Sequence, residues 1–246
     1  MRKLFLILWT LWAGLAFLLV LAIFFPILAL GLTFGGKKSL KAMHRLPVWA
    51  SRTLRPLVGV KIKEYNKSII DPQKQYIFVS NHTSTLDLFI PALIIDQYAK
   101  YLTKSAFLVF PILGYVVKNL YIPVRRSSKE DRAKSMKTME DVLREGWASL
   151  VIYPEGTRSK VTTAENTFHS GAFRLSIRTG VPVAVFTTKG ANDLMGHNNI
   201  FLRPGTIEIY WEAVLQPKGL TEENAENQAT EAKRLILERL AKFPST

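Results

Sequence analysis

Cysteine is absent from all 246 residues. That excludes disulfides, a thiolate nucleophile and any cysteine-based metal site, and it suits a reducing compartment. His44, His169 and His197 lie too scattered to suggest a ligand set, so no metal is expected and all three read as ordinary surface or core residues. Acid is in short supply: 19 Asp and Glu face 33 Lys and Arg, a formal charge of +14. Such a surface attracts polyanions, whether nucleic acid, anionic headgroups or phosphate-bearing substrates. Nucleic acid is not the expected partner, because no basic and aromatic residues interleave in the manner of single-strand binders. Internal repeats and low-complexity segments are missing as well.

Charge itself vanishes from Leu4 to Gly36, and Leu4 to Phe25 is almost wholly Leu, Ile, Phe, Trp, Ala and Val. The run exceeds the roughly 7 to 15 apolar residues of a secretory signal, so a membrane segment is the expectation. A 20-residue helix covers about 30 Å of hydrocarbon, so the length permits a span without requiring one. Pro26 interrupts the pattern. Basic residues flank both sides, Arg2 and Lys3 before and Lys37, Lys38, Lys41 and Arg45 after, so no charge asymmetry fixes an orientation.

Leu40, Met43, Leu46, Ala50, Leu54 and Leu57 then recur at steps of three and four among basic residues. This predicts a basic amphipathic helix, broken near Pro47 or Pro56, that lies in the headgroup layer or packs its stripe on the core. Residues 1–60 are therefore expected to form a membrane-embedded helical hairpin. Residues 61–246 alternate strands and helices: Tyr76 to Val79, a helix after Asp87, Leu120 to Val124, a helix from about Lys129 to Trp147, and Leu150 to Tyr153. A helix around Gly171 to Thr179, strands from Val183 to Thr187 and Thr206 to Trp211, and a helix from Thr221 to about Lys242 follow. Alternation of this kind implies an α/β fold, a mixed sheet flanked by helices.

Two polar segments interrupt these elements. Asn81-His82-Thr83-Ser84-Thr85-Leu86-Asp87 follows a buried strand. On one continuous helix His82 and Asp87 would point about 140° apart, so they pair only if the histidine sits in the turn and the acid in the next helix's first turn. The carboxylate would then fix the imidazole tautomer and leave the other nitrogen as a base. On spacing alone, Asp87 reads more readily as a capping residue and His82 as a solvated loop residue, because short polar loops often contain both. Tyr153-Pro154-Glu155-Gly156-Thr157-Arg158-Ser159 follows the strand Leu150-Val151-Ile152. Arg158 offers a planar fork for a phosphate, Gly156 lets backbone come close and Glu155 can accept from a hydroxyl, although a turn closed by a Glu to Arg ion pair would look the same.

The two segments resemble the His-x4-Asp and Pro-Glu-Gly-Thr-Arg boxes of the glycerolipid acyltransferases, above all the 1-acyl-sn-glycerol-3-phosphate acyltransferase family. Their order, their separation of about seventy residues and the preceding apolar segment make the pair specific. Leu120 to Arg126 is similar to the family's second motif, with Arg126 as the phosphate-contacting residue and Arg125 where many relatives have Asp. Gly180-Val181-Pro182-Val183 resembles the fourth motif, with a packing role. At Phe168 to Phe173 relatives carry two lysines where this chain has His169 and Ser170, and Lys104 stands where relatives place a cation near the pocket.

The resemblance implies acyl transfer from a thioester, either acyl-CoA or an acyl carrier protein, to the sn-2 hydroxyl of lysophosphatidic acid, giving phosphatidic acid. No cofactor is implied. His82 and Asp87 would be catalytic, and Glu155, Gly156, Thr157, Arg158, Arg126 and Lys104 would bind substrate. The implied place is a phospholipid membrane, with the site facing the cytoplasm and the inner membrane if the source is bacterial. The changed lysines leave open another acceptor: a lysophospholipid, an aminoacyl lysolipid or glycerol 3-phosphate. A non-enzymatic basic protein of membrane surfaces is the remaining alternative.

Overall fold

A computed structural model describes residues 2–34, 42–124, 128–159, 162–163, 165–196 and 198–243. Arg125, Arg126, His197 and the cations Lys37, Lys38 and Lys41 lie outside the described residues. Seven strands form one sheet: β1 (Val60–Tyr65), β2 (Ile77–Val79), β3 (Ala99–Lys104), β4 (Ile122–Val124), β5 (Ser149–Ile152), β6 (Val183–Lys189) and β7 (Gly205–Leu215). Their order is β1-β7-β6-β2-β5-β3-β4, and of the strand pairings among the described residues only β6–β7 is antiparallel. The mixed α/β sheet expected from the alternation is therefore present. Central strands read as continuous apolar runs because helices cover both faces: Ile77, Phe78 and Val79 are all fully buried.

One consequence of the order decides where chemistry can occur. Because β6, β2, β5, β3 and β4 run parallel, their carboxyl ends share one edge of the sheet. The segments after β2, β3 and β5 emerge there together, and these begin at Ser80, Ser105 and Tyr153. Ligand sites of open α/β sheets form along such an edge.

The apolar N-terminus forms α1 (Arg2–Phe34), unbroken at Pro26. A proline removes one backbone donor, and the long helical flanks on both sides carry the helix across that loss. By length and composition Lys3–Phe34 is a candidate membrane span. Only a narrow face is buried, at Ala13, Ala16, Val20 and Leu28, while Leu4, Leu8, Leu11, Leu15, Leu18 and Ile23 are among the large apolar side chains left exposed. α2 (Arg45–Leu57) packs antiparallel to it: Trp12 Nε1 donates to the Leu57 carbonyl at 2.9 Å, while Leu28 clusters with Leu46 near the other end. The Leu46 and Leu54 stripe of α2 is spent on packing against α1 and the main core rather than offered to a headgroup layer. Pro47 sits in the first turn of α2 and Pro56 in its last, so neither breaks it.

Four strands and α-helices were not anticipated from the sequence: β1, β3 and two helices, Pro111–Leu120 and Ala191–Leu194. The other helices are Ile90–Ile94 (α3), that Pro111–Leu120 helix (α4), Lys129–Arg144 (α5), Gly171–Thr179 (α6), Ala191–Leu194 (α7) and Ala225–Ala241 (α8).

At the entry to α2, His44 is buried edge-on against Tyr98, ring centroids 4.2 Å apart, and its Nδ1 has no partner among the described residues. Burial pushes the imidazole down to about 4 from its ordinary 6.5. The unfolded chain takes this proton below pH 6.5, whereas the folded chain resists it until about 4. The stability tied to a neutral His44 is therefore complete above pH 6.5 and is lost as pH falls through that window, by about 3 kcal/mol in all. Thermal unfolding of His44→Phe between pH 7 and 4 should show a flatter acid slope than the parent. An identical slope would remove His44 from the account.

Candidate active site

β2 is followed by Ser80 and Asn81, and Asn81 ties the strand's exit to β6. Its Oδ1 accepts from the Thr188 N–H at 2.8 Å and its Nδ2 donates to the Thr188 carbonyl at 2.9 Å. A side-chain amide here completes the backbone ladder where the strands diverge, and so fixes the start of the next loop.

His82 follows. Its Nδ1 lies 2.8 Å from Asp87 Oδ2. The same oxygen accepts the backbone N–H groups of Thr83 at 2.8 Å and Ser84 at 2.9 Å. The chain achieves this with a short 3₁₀ turn, Thr85–Leu88, begun by a reciprocal capping box: the Ser84 side chain accepts from the Leu86 N–H while Asp87 reaches back to the Ser84 N–H. Asp87 is thus a capping residue and the partner of His82 at once. The two uses share one oxygen, because the cap's geometry aims the carboxylate back over the turn. Asp87 is buried, so a carboxylate there needs these three donors. With the acid accepting, Nδ1 carries the proton, and Nε2 keeps its lone pair.

The imidazole is also held from one face. The Tyr153 ring stacks on it, centroids 4.2 Å apart and 16° from parallel, and the phenol donates to the Asp87 carbonyl at 2.7 Å. Burial first, and the neighbouring Asp87 carboxylate and Tyr101 next, push the Tyr153 phenol well above its ordinary range, so it stays a neutral donor.

The loop after β5 braces the one after β2. Glu155 is buried; its Oε1 accepts from the His82 backbone N–H at 2.9 Å and from Thr162 Oγ1 at 3.2 Å, and its Oε2 from Ser159 Oγ at 2.7 Å. Ser159 N–H in turn donates to the His82 carbonyl at 3.0 Å. Gly156 takes φ of +72°, the left-handed value that turns the loop so sharply, and Thr157 beside it is exposed. Arg158 crosses back and donates to Thr85 Oγ1 at 2.6 Å. The ion pair that a lone reading of this loop suggests, Glu155 with Arg158, does not form. His169 N–H donates to the Pro154 carbonyl at 2.9 Å, so the segment bearing His169 and Ser170 abuts this loop.

His82, Asp87, Glu155, Gly156 and Arg158 therefore come together in one constellation. Lys104 ends β3 on the same sheet edge and is exposed, two strands from the histidine. Arg126 lies outside the described residues. The sequence reading passed over Tyr153, Asn81 and Thr85 as participants. The tyrosine stood next to Pro154 in the second box, and its aromatic ring beside a histidine loop was the available signal.

Above the turn lies an apolar cavity of about 300 Å³, closed on one side by α1 and α2. Thr10, Phe17, Leu54, Phe89 and Met195 line it together with Thr85, the residue that holds Arg158. Sheet, loops and cavity define an α/β fold with its polar constellation at the carboxyl ends of parallel strands.

Residues 61–188 match the family model described as Acyltransferase, and that is more than half of the chain. The chain belongs to the Acyltransferase family. It is 30% identical over 149 residues to a chloroplastic 1-acyl-sn-glycerol-3-phosphate acyltransferase of Brassica napus, covering 60% of this chain and 42% of that one. It is 27% identical over 195 residues to a 1-acyl-sn-glycerol-3-phosphate acyltransferase of Chlamydomonas reinhardtii, covering 78% and 56%. The chain spans about half the length of the curated relatives it matches. The crystal structure of the 1-acyl-sn-glycerophosphate acyltransferase PlsC from Thermotoga maritima shares the fold: TM-score 0.76 at 17% identity, with both chains covered completely.

Proposed function

We propose that the chain moves a fatty acyl group from a thioester, acyl-CoA or acyl carrier protein, to the sn-2 hydroxyl of 1-acylglycerol 3-phosphate, giving phosphatidic acid. The observation that carries this reading is the His82 to Asp87 contact at 2.8 Å beside an apolar cavity. His82 Nε2 takes the proton of the acceptor hydroxyl as its oxygen attacks the thioester carbonyl. The tetrahedral intermediate then collapses, the carbon–sulfur bond breaks, and the imidazolium returns the proton to the departing thiolate. Asp87 stays ionised throughout and offsets the charge on the imidazolium. Ser84 is not the nucleophile in this reading, because its Oγ is committed to the Met195 carbonyl at 2.6 Å and to the Leu86 N–H.

Arg158 receives the acceptor's phosphate, with Lys104 on the same sheet edge as a further cation and Arg126, which lies outside the described residues, as the second that the family resemblance implies. Glu155, with both oxygens engaged, acts as the brace of the His82 loop, and Gly156 and Thr157 shape the turn that presents Arg158. The cavity takes an acyl chain. Arg158→Ala is expected to raise the acceptor's KM by about 10- to 100-fold with a smaller change in kcat, as loss of a charged hydrogen bond would. An unchanged KM would remove Arg158 from the phosphate site.

The membrane holds α1. That helix meets the body where Thr10 Oγ1 accepts from the Leu202 N–H at 3.1 Å and again where Thr33 Oγ1 meets the Tyr115 hydroxyl at 2.7 Å. These contacts stand about 34 Å apart along the axis at 1.5 Å per residue. A helix held to the body over that length lies along it, in one leaflet, rather than crossing alone. Soluble acyl donors place the sheet edge on the cytoplasmic side.

His169 and Ser170, abutting the second box without the family's two lysines, favour one second reading in which the acceptor is another lysolipid or glycerol 3-phosphate. A panel of acceptors with one labelled thioester separates the two. Preference for 1-acylglycerol 3-phosphate supports the first reading, and preference for a neutral or zwitterionic lysolipid the second.

A further inference from the structure

We propose that the segment joining β3 to α4 is a second lipid-inserting element, one that enters the anionic surface of a bilayer beside the catalytic edge. Val109 is 77% exposed, Phe110 55%, Ile112 41% and Leu108 40%, four large apolar side chains within five consecutive positions outside α1. A patch of this kind marks a contact surface.

The segment is built to hold them out. Ser105–Val109 is a 3₁₀ turn closed by the Phe110 N–H on the Phe107 carbonyl at 3.2 Å. The Gly114 N–H donates to the Phe110 carbonyl at 2.6 Å. Gly114 has no room for a Cβ, which would collide with the Leu108 carbonyl, so the turn folds tightly back on α4. The four side chains are therefore presented by a fixed scaffold.

Three further observations choose the occupant. The patch continues the apolar surface of α1: Tyr115 of α4 donates to the Ala29 carbonyl at 3.2 Å and meets Phe25 edge-on, centroids 6.2 Å apart. It is flanked by exposed cations, Lys104 just before the turn and Lys118 on α4. It leaves β3 at the carboxyl edge, the edge that carries His82. Apolar residues between lysines, continuous with a long exposed apolar helix, fit the acyl and headgroup layers of an anionic leaflet.

The absence of cysteine makes the test direct. Val109→Cys supplies a single attachment point for an environment-sensitive fluorophore, and Gln73→Cys, exposed before β2 at the opposite end of the sheet, supplies the control. Full-length protein is reconstituted into phosphatidylglycerol and phosphatidylcholine vesicles. The Val109 probe should shift to shorter wavelength and be quenched by lipids spin-labelled high on the acyl chain, while the Gln73 probe stays water-like. Equal, water-like emission from both would overturn the proposal. So would removal of the Val109 probe from water by acidic acyl carrier protein and not by vesicles. This readout needs no turnover, so it stands or falls separately from the acyl-transfer reading. In a second arm, Val109→Glu with Phe110→Glu should slow turnover of acceptor in anionic vesicles by about tenfold and leave turnover in detergent micelles unchanged. Equal loss in both would count against insertion.

Discussion

His82→Ala is expected to lower kcat by about 10²- to 10⁴-fold, the range a positioned general base supplies, with little change in either KM. That is about 3 to 5 kcal/mol of barrier. The split between kcat and KM follows from the geometry. His82 is held by Asp87 on one nitrogen and by the Tyr153 ring on one face, while the groups proposed for phosphate and acyl chain belong to other segments. Removing the imidazole leaves the Glu155 to His82 backbone bond untouched, so the loop should keep its path and the protein its fold. Near-normal turnover in a folded variant would sink the assignment of the base.

Asp87→Asn is the second large effect, and a more discriminating one. Oδ2 accepts three hydrogen bonds, two of them from backbone N–H groups, so the amide must place its own oxygen there. That arrangement preserves the histidine's tautomer and position. Two things change: the negative charge opposite the developing imidazolium is gone, and the NH₂ occupies the place of Oδ1, a buried site with no partner among the described residues. The first should cost about 10²- to 10³-fold in kcat, and the second about 1 to 3 kcal/mol of stability. Asp87→Ala would strand the Thr83 and Ser84 N–H groups in the interior and is expected to fold worse. If Asp87→Asn lost stability but kept its kcat, Asp87 would be a cap alone.

The double duty of Asp87 also shows how far the sequence could be read. Spacing raised capping and histidine pairing as alternatives, and the turn satisfies both through one oxygen, a result that depends on a 3₁₀ path no periodicity displays. Strands β2, β4, β5 and β6 were legible because buried strands are short runs of apolar residues, and β7 because apolar residues alternate with polar ones through Thr206–Trp211. β1 and β3 were not: Val60–Tyr65 is an edge strand with lysines on its exposed face, and Ala99–Lys104 mixes Ala and Lys among its strand formers, so neither forms an apolar run. The site followed the same division. Boxes contiguous in sequence were visible, whereas Tyr153 on His82, Asn81 on Thr188 and Arg158 on Thr85 are contacts between distant segments. The stripe of α2 had two possible uses on its pattern, and only the antiparallel approach of α1 decided for packing.

One assay bears most directly on the central claim. Purified protein in detergent micelles is supplied with a labelled acyl thioester and 1-acylglycerol 3-phosphate, beside folded His82→Ala, and both phosphatidic acid and free thiol are measured. The account predicts phosphatidic acid acylated at sn-2, one thiol released per ester formed, and product from the parent far above that from the variant. Absence of phosphatidic acid from the parent, or equal formation by both proteins, would contradict it.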